Sequence, residues 1–333
     1  MKAITVKETI KTLFPTKRTV CIEGSPGGGK TSIVHQAANE MGIVCRELHM
    51  PTMLVEDFGI LYPKNDSDVL TYKIPYWFPD AENPDTPSNG ILLFDDRNQA
   101  SADLQKVLAN ICQSRTLHGH KLHDGWMIVS TGNYTTDRAG ANRILTHLRN
   151  RETVISLDTD VEVWCSWAMK NNVKQEVIAF INFRPELLHK FDPDAPQNPS
   201  PRSWTEGVSA IMGLVPENAQ FECFKGSVGE GAALEFVGYL KMYQKLPNFE
   251  MIDKDPKSVK VVEDLSEKYA ICIALAHRAT VDNCANHIEY IKNFQDEFMV
   301  LYVKYAYSKN KKLKDVEEFS DMVHKHRDAI FGI

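Results

Sequence analysis

The sequence contains no long hydrophobic run. No stretch approaches the roughly 18 apolar residues that a membrane-spanning helix needs. The N-terminal residues MKAITVKETIKTLF also lack the apolar core of a signal peptide. We therefore expect a soluble, cytoplasmic protein that has no membrane partner.

Paired cysteine patterns are missing as well. The chain has 7 cysteines, an odd number without any C-x-x-C spacing. Several of them, such as Cys21, Cys165 and Cys272, lie within apolar runs. This usage argues against a disulfide framework and predicts reduced, buried thiols in a cytosol-like compartment.

The sequence also lacks a strong excess of charge of either sign. The formal net charge is −6 and the isoelectric point is about 6.0. This balance argues against nucleic-acid binding over the whole surface but leaves room for a local basic pore or stripe. Apolar residues make up 43% of the 333 residues, so the chain can bury the cores of two domains.

The chain does contain a phosphate-binding loop. Residues 24–31, Gly-Ser-Pro-Gly-Gly-Gly-Lys-Thr, match G-x-x-x-x-G-K-[ST] between an extended apolar run and a segment of helical periodicity. The glycines let backbone N–H groups point at an anion, and the helix N-terminus adds its positive dipole end. We predict that Lys30 reaches the β- and γ-phosphates of ATP and that Thr31 ligates Mg²⁺. The predicted nucleotide-binding residues are Gly24, Pro26, Gly27, Gly28, Gly29, Lys30, Thr31 and Ser32.

Polar side chains follow two further predicted strands. Residues 90–94 form a continuous apolar run, which is typical of a strand buried on both faces of a parallel sheet, and the run ends in Asp95 and Asp96. Ligands bind at the carboxyl edge of such sheets. Downstream of a phosphate-binding loop, we expect Asp95 to hold Mg²⁺ and Asp96 to polarise the attacking water. A later strand places the amide of Asn133 beside both acids.

Two irregular segments interrupt the α/β pattern. Prolines, alternating residues and a turn at residues 65–68 predict that residues 50–89 are an insertion with a short hairpin. Residues 115–125 predict a second hairpin, centred on Gly119. We interpret its three imidazoles as a solvated, cationic loop tip rather than a metal site, because no Cys or carboxylate pattern accompanies them. A tip that contacts a polymer or a partner is the alternative. The imidazoles are those of His118, His120 and His123.

The second half of the chain has helical patterns. Pro201 suits a first helical turn, residues 245–257 form a polar linker, and the remainder predicts three amphipathic helices in a small bundle. A nucleoside triphosphatase also needs a cation to offset charge in its transition state. Several arginines before the last predicted strand are candidates, and nothing local shows which of them acts. They are Arg138, Arg143, Arg149 and Arg151.

Taken in order, these motifs resemble those of the MoxR-type AAA+ ATPases, including forms found in phage genomes. GSPGGGKTS is similar to the Walker A element, ILLFDDRNQAS to Walker B, STGNYTTDRAG to sensor 1, LRNRE to the arginine-finger segment and SPRSW to sensor 2. The resemblance covers residues 18 to about 245. The ordered set is specific, although no single piece is.

The resemblance implies a fold and a domain organisation. Residues 1–158 would be an α/β P-loop AAA+ core with a parallel five-stranded sheet. An α-helical lid carrying sensor 2 would follow at residues 159–250, and a C-terminal helical bundle at residues 251–333. The insertion at residues 50–89 and the hairpin at residues 115–125 would lie near a central pore.

The resemblance also implies roles for polar residues. Asn133 would read the γ-phosphate, Arg151 would be a finger inserted into a neighbouring subunit's site, and Arg202 would close the lid on the nucleotide. A finger in trans implies a homo-oligomeric ring, a hexamer in this family. Known relatives remodel or activate partner proteins, often ones with a von Willebrand factor A domain. Asp96 replaces the family's catalytic glutamate, so we expect slow hydrolysis.

Three functions follow from these features. The first is a mechanochemical ATPase that moves its insertion loops against a protein client. The second is a nucleic-acid motor or loader, against which the acidic balance counts. The third is a nucleotide-gated scaffold in which Asp96 makes ATP a structural ligand. A basic pore for the second function would be lined by Arg115, His118, His120 and Lys121.

Overall fold

The computed structural model of the chain describes residues 1–64, 68–137 and 144–331. Most of the predicted turn at residues 65–68 and two of the four candidate arginines, Arg138 and Arg143, lie outside these residues. The chain divides into two compact units, Met1–Thr159 and Asp160–Ile333.

A five-stranded sheet forms the centre of the first unit. The strands of the sheet and of two small hairpins are, in chain order, β1 Val20–Glu23, β2 Val44–His49, β3 Ile60–Pro63, β4 Leu70–Lys73, β5 Gly90–Asp95, β6 Thr116–Leu117, β7 His120–Lys121, β8 Trp126–Gly132 and β9 Thr153–Ser156. The sheet has the order β2-β5-β8-β1-β9, and every neighbouring pair is parallel. The carboxyl ends of all its strands therefore lie at one edge. The predicted architecture, an α/β core with a parallel five-stranded sheet followed by helices, is confirmed.

Helices cover both faces of this sheet. They are α1 Ala3–Leu13, α2 Lys30–Met41, α3 Ala102–Ser114 and α4 Thr146–Arg149. Because successive strand residues point to opposite faces, Ile91 and Leu93 pack with α1 and α2, whereas Leu92 and Phe94 pack with α3. Gly42 ends α2 in a left-handed conformation with φ 67°.

Both predicted hairpins form, and each histidine of the second one has a protein partner. The imidazole of His118 stacks on the ring of Tyr72 in β4, with centroids 3.7 Å apart, and burial lowers the pKa of His118. His120 Nδ1 lies 3.1 Å from Asp80 Oδ2, and His123 Nδ1 accepts a backbone N–H. His118 is nevertheless exposed and His120 is partly exposed, so the solvated, cationic tip stays a prediction.

The second unit is helical. Its helices are α5 Val161–Lys170, α6 Gln175–Phe183, α7 Glu217–Val228, α8 Glu230–Tyr243, α9 Phe249–Lys254, α10 Leu265–Arg278, α11 Cys284–Ile291, α12 Asp296–Lys309, α13 Glu317–Lys325 and α14 Arg327–Phe331, with a π-helical stretch at Ser203–Ser209. One apolar cluster, with the rings of Phe180, Trp204 and Phe236 within it, draws residues from both sides of the predicted boundary at residue 250. The finer domain division stays a prediction.

Two details of the helical prediction are wrong. The predicted polar linker at residues 245–257 contains α9, whose Ile252 is fully buried. Asp253 in the same helix lies 2.6 Å from His287 Nε2 and 2.7 Å from the guanidinium of Arg278. The polar residues of this segment therefore face a buried imidazole and a guanidinium rather than only solvent. The remainder, predicted as three amphipathic helices, contains five helices, α10 to α14, in its described part.

No helix in the described part of the chain is both long and apolar enough to cross a bilayer. All seven cysteines are free, and burial raises the pKa of the Cys21 thiol and of the Cys165 thiol to about 12.

Candidate active site

The phosphate-binding loop joins β1 to α2. Gly27 and Gly29 have φ of 74° and 89°, a region that L side chains rarely adopt, and this explains glycine at both positions. Gly29 is also the N-cap of α2, whose first helical residue is Lys30. The loop therefore presents the positive end of a helix dipole at the carboxyl edge of the sheet. Ser32, a predicted ligand, is exposed in the first turn of this helix.

Lys30 is held inside the loop. Its side chain is buried, and Nζ donates to the backbone oxygens of Gly24 and Ser25 at 2.9 and 3.1 Å. Nζ also donates to Asn133 Oδ1, which follows β8, at 2.8 Å. The structure thus brings together the predicted phosphate-binding lysine and the predicted γ-phosphate reader.

Thr31 and Asp95 meet at the first turn of α2. Thr31 Oγ1 donates to Asp95 Oδ1 at 2.6 Å, and Thr131 Oγ1 of β8 donates to the same oxygen at 2.7 Å. Hydroxyl and carboxylate oxygens are the ligands that Mg²⁺ prefers. Thr31 and Asp95 therefore fit the magnesium role that the sequence predicts.

Asp96 begins a short turn after β5 and has an unusual backbone conformation. Its φ and ψ are 51° and 45°, a left-handed conformation that is uncommon outside glycine and that aspartate tolerates better than most residues. Its N–H donates to Thr131 Oγ1 at 2.9 Å. Its two carboxylate oxygens lie 3.4 Å from the amide nitrogens of Asn133 and Gln99. These contacts direct the carboxylate toward Asn133 and Gln99.

Asn98 anchors the end of β8, a role that the sequence did not show. Its side-chain amide donates to the backbone oxygen of Asn133 at 2.6 Å and accepts from the backbone N–H of Asn133 at 3.1 Å. Asn98 is 2% exposed, so both bonds are shielded from water. This two-bond pairing fixes the segment that carries the Asn133 side chain.

His49 is a further polar neighbour that the sequence did not single out. It ends β2 and pairs in register with Asp95 of β5. Its Nδ1 lies 3.5 Å from Asp95 Oδ2, and the imidazole is half exposed. The sequence feature that could have identified His49 is its position at the end of β2.

Arg97 forms a buried ion-pair cluster beneath the acids. Its side chain is 1% exposed, and Nη2 lies 3.0 Å from Glu152 Oε2 and 3.3 Å from Glu23 Oε1. Ser130 Oγ donates to Glu152 Oε1 at 2.6 Å. Each charged residue is next in the chain to a predicted site residue: Glu23 precedes the phosphate-binding loop, Arg97 follows Asp96, and Glu152 follows the predicted finger.

The predicted finger lies at the end of the same unit. Arg151 is partly exposed and immediately precedes the buried Glu152. Arg149, two residues earlier, is more than half exposed and lies 3.4 Å from Glu23 Oε2. The assignment of Arg151 as the finger stays a prediction.

Arg202 belongs to the second unit, where it is exposed in a first helical turn. Ser200 and Ser203 cap that turn reciprocally: each side-chain oxygen accepts the other residue's backbone N–H, at 2.8 and 3.1 Å. Pro201 occupies the first helical position, as predicted. The cap fixes the backbone that carries Arg202.

Comparisons with known proteins give fold likenesses only. No protein-family profile matches the chain, and no curated protein matches it significantly. A candidate ATPase from Cytophaga hutchinsonii is 14% identical with a TM-score of 0.38, covering 94% of this chain and 80% of that one. NtrX from Brucella abortus in complex with ADP is 12% identical with a TM-score of 0.35, covering 99% and 68%. The RuvB P216G mutant of Thermotoga maritima is 13% identical with a TM-score of 0.43, covering 87% and 88%. Because the identities and TM-scores are this low, these likenesses support no argument about the site.

The Arg97 cluster generates a stability prediction. In Arg97→Met the buried Glu152 loses its countercharge, so we expect the free energy of unfolding to fall by about 3–5 kcal/mol at neutral pH in urea titrations. Burial already raises the pKa of Glu152 above 4.5, and removing the guanidinium raises it further. A carboxyl group whose pKa is raised in the folded state contributes to the stability of the protein while it is protonated. That contribution is lost as the pH rises through the folded-state pKa. The stability deficit of Arg97→Met should therefore shrink as the pH falls from neutral to about 5.

The matched control is the double variant Arg97→Met/Glu152→Met, which removes both charges and should recover most of the loss. A deficit that stays constant with pH, or a double variant as unstable as the single one, would contradict this reading of the cluster.

Proposed function

We propose that the chain binds ATP together with Mg²⁺ and hydrolyses it to ADP and phosphate. The observation that carries the proposal is the 2.6 Å hydrogen bond from Thr31 to Asp95, which joins the start of α2 to the end of β5. A glycine-rich turn with no ligand would give no reason for a buried lysine, a hydroxyl and two carboxylates to meet there.

Each residue has a distinct task in this proposal. Backbone N–H groups of the loop and Lys30 bind the β- and γ-phosphates, exchanging the present bonds of Lys30 for bonds to phosphate oxygens. Thr31 and Asp95 would hold Mg²⁺, which when bound offsets negative charge on the phosphates. Asp96 orients the attacking water as a base, and Asn133, whose amide lies beside both Lys30 and Asp96, contacts the γ-phosphate.

We further propose that the protein is a MoxR-like AAA+ ATPase that assembles into a ring. In the ring, Arg151 inserts into the nucleotide site of a neighbouring subunit, and Arg202 contacts the nucleotide when the helical lid closes. Its task would be to remodel or activate a partner protein, with a von Willebrand factor A domain as one candidate. Exposed apolar side chains on the insertion at residues 50–89 support a protein partner. They include Leu54, Ile60, Leu61, Leu70 and Tyr76.

The nucleic-acid alternative has weaker support. The half-buried guanidinium of Arg115 donates to the backbone oxygens of His123 and Trp126, so part of its hydrogen-bonding capacity is used within the protein. His118 is stacked on Tyr72, and its lowered pKa favours the neutral imidazole. Arg115 therefore keeps its charge but has fewer free donors for a phosphate backbone, and a neutral His118 adds no charge. A salt-sensitive rise in ATP turnover on adding DNA would favour the alternative.

Substitution of the loop lysine tests nucleotide binding. Lys30→Ala removes charge-assisted hydrogen bonds to phosphate, so we expect ATP affinity measured by calorimetry to fall by about 100-fold or more. Lys106→Ala, which removes an exposed lysine from α3, is the control and should bind ATP like the wild type. Full ATP affinity in Lys30→Ala would overturn the proposal.

Lengthening the second acid tests the expected slow hydrolysis. The carboxylate of Asp96 is drawn back by about 1 Å relative to a glutamate, and misplacement of that size can cost on the order of 10² in rate. We expect Asp96→Glu to raise kcat toward that factor and Asp96→Asn to reduce it strongly while ATP still binds. An unchanged or lower kcat in Asp96→Glu, with ATP affinity and thermal stability retained, would show that the shorter acid is not limiting. Retained biological function in Asp96→Asn would instead support the scaffold.

A subunit-mixing experiment tests the ring. Arg151→Ala should lower kcat by about 10³-fold or more, because a transition-state cation is lost. Mixing it with the Lys30→Ala chain should restore part of the activity, since an intact Arg151 then faces an intact loop in a neighbouring subunit. Arg149→Ala is the matched control two residues away. No recovery on mixing, or a larger loss in Arg149→Ala, would contradict the assignment of Arg151.

A further inference from the structure

We infer that His49, Asp95 and Asp96 form a binding site for a divalent transition-metal ion, with His49 as its nitrogen ligand. One ligand atom from each residue can be chosen so that all three lie within 4.8 Å of one another. The site differs from the magnesium position by including an imidazole, and the ion binds without nucleotide.

The register of the sheet creates this group. β2 and β5 are parallel neighbours, and His49 is paired directly with Asp95 at the last position of both strands. Paired residues of neighbouring strands project on the same face, so the imidazole and the carboxylate lie side by side. Asp96 follows immediately in a left-handed backbone conformation, and its N–H donates to Thr131 Oγ1 of β8.

The separation of the two groups suits an ion better than a direct hydrogen bond. His49 Nδ1 and Asp95 Oδ2 are 3.5 Å apart, whereas charge-assisted hydrogen bonds measure about 2.7–2.9 Å. Two ligand atoms about 2.1 Å from one tetrahedral ion are about 3.4 Å apart. The other oxygen of Asp95 already accepts from Thr31 and Thr131, which leaves Oδ2 directed at the imidazole.

The chemistry of the donors selects the class of ion. Two carboxylates alone would suit Mg²⁺, but an imidazole nitrogen favours Mn²⁺, Co²⁺, Ni²⁺ or Zn²⁺. The imidazole is half exposed, so an ion can reach it from solvent. Three protein ligands also leave coordination positions open for water.

Such an ion has a consequence for turnover, which rests on the proposed function. A carboxylate of Asp96 engaged on a transition-metal ion cannot orient the attacking water. We therefore expect Co²⁺ to inhibit hydrolysis of Mg–ATP, and the inhibitory concentration to rise in a chain without the imidazole. Binding itself needs no ATPase activity and is measured separately.

The test is a titration of the full nucleotide-free chain with CoCl₂ in magnesium-free buffer, followed by calorimetry and by visible absorption of bound cobalt. We expect one ion to bind, and His49→Asn to weaken binding by more than about 10-fold. The matched control is His35→Asn, since His35 also faces a carboxylate, Glu47 at 2.5 Å, but forms no three-ligand group among the described residues. Its cobalt affinity should equal that of the wild type.

No saturable cobalt binding by the wild type, or equal affinity in His49→Asn, would overturn the inference. If His49→Asn fails to fold, as judged by its thermal unfolding, Asp96→Asn removes a different ligand and must weaken cobalt binding in its place. The Lys30→Ala chain separates this test from that of the proposed function. If the Lys30→Ala chain still binds cobalt and keeps full ATP affinity, the proposed ATPase function is wrong and the metal-binding inference stands. If ATP binding depends on Lys30 but the wild-type chain does not bind cobalt, the metal-binding inference is wrong and the proposed function stands.

Discussion

The candidate site depends on the burial of β5 and β8 on both faces. Every residue of these two strands is buried. Side chains in such strands must be apolar or fully hydrogen-bonded, so polar groups collect where the strands end. Because all strands of the sheet are parallel, the ends of β1, β5 and β8 share one edge. The phosphate-binding loop, the acids and Asn133 meet there for this one reason.

This constraint explains what the sequence could predict. The loop motif, the apolar run before Asp95 and the strand before Asn133 each show where a strand ends, and strand ends in a parallel sheet must converge. His49 carries the same information, since it too ends a strand. Its importance comes from the register of β2 against β5, which places it beside Asp95. Register between strands that are far apart in the chain has no local signal in one sequence.

Other features were hidden because they depend on tertiary partners. Arg97 looks like a solvated arginine after two acids, yet it is buried because Glu152, far along the chain, supplies its countercharge. Asp253 looks like part of a polar linker, yet its partners His287 and Arg278 come from other helices. In each case the sequence shows a charge, and only the fold shows whether the charge is paired. Polar composition alone therefore does not show which charges are buried.

If the protein binds ATP as proposed, the contacts of Lys30 affect the binding energy. Its ammonium group already donates to two backbone oxygens and to Asn133, so binding exchanges these bonds for others rather than creating bonds from a free cation. The net gain is the difference between a neutral acceptor and a charged phosphate, which favours phosphate because charge-assisted bonds are about twice as strong. The same exchange frees Asn133 Oδ1, while its amide nitrogen stays beside Asp96. Under the proposed function, phosphate binding would thus be coupled, through Lys30, to Asn133 and its contact with Asp96.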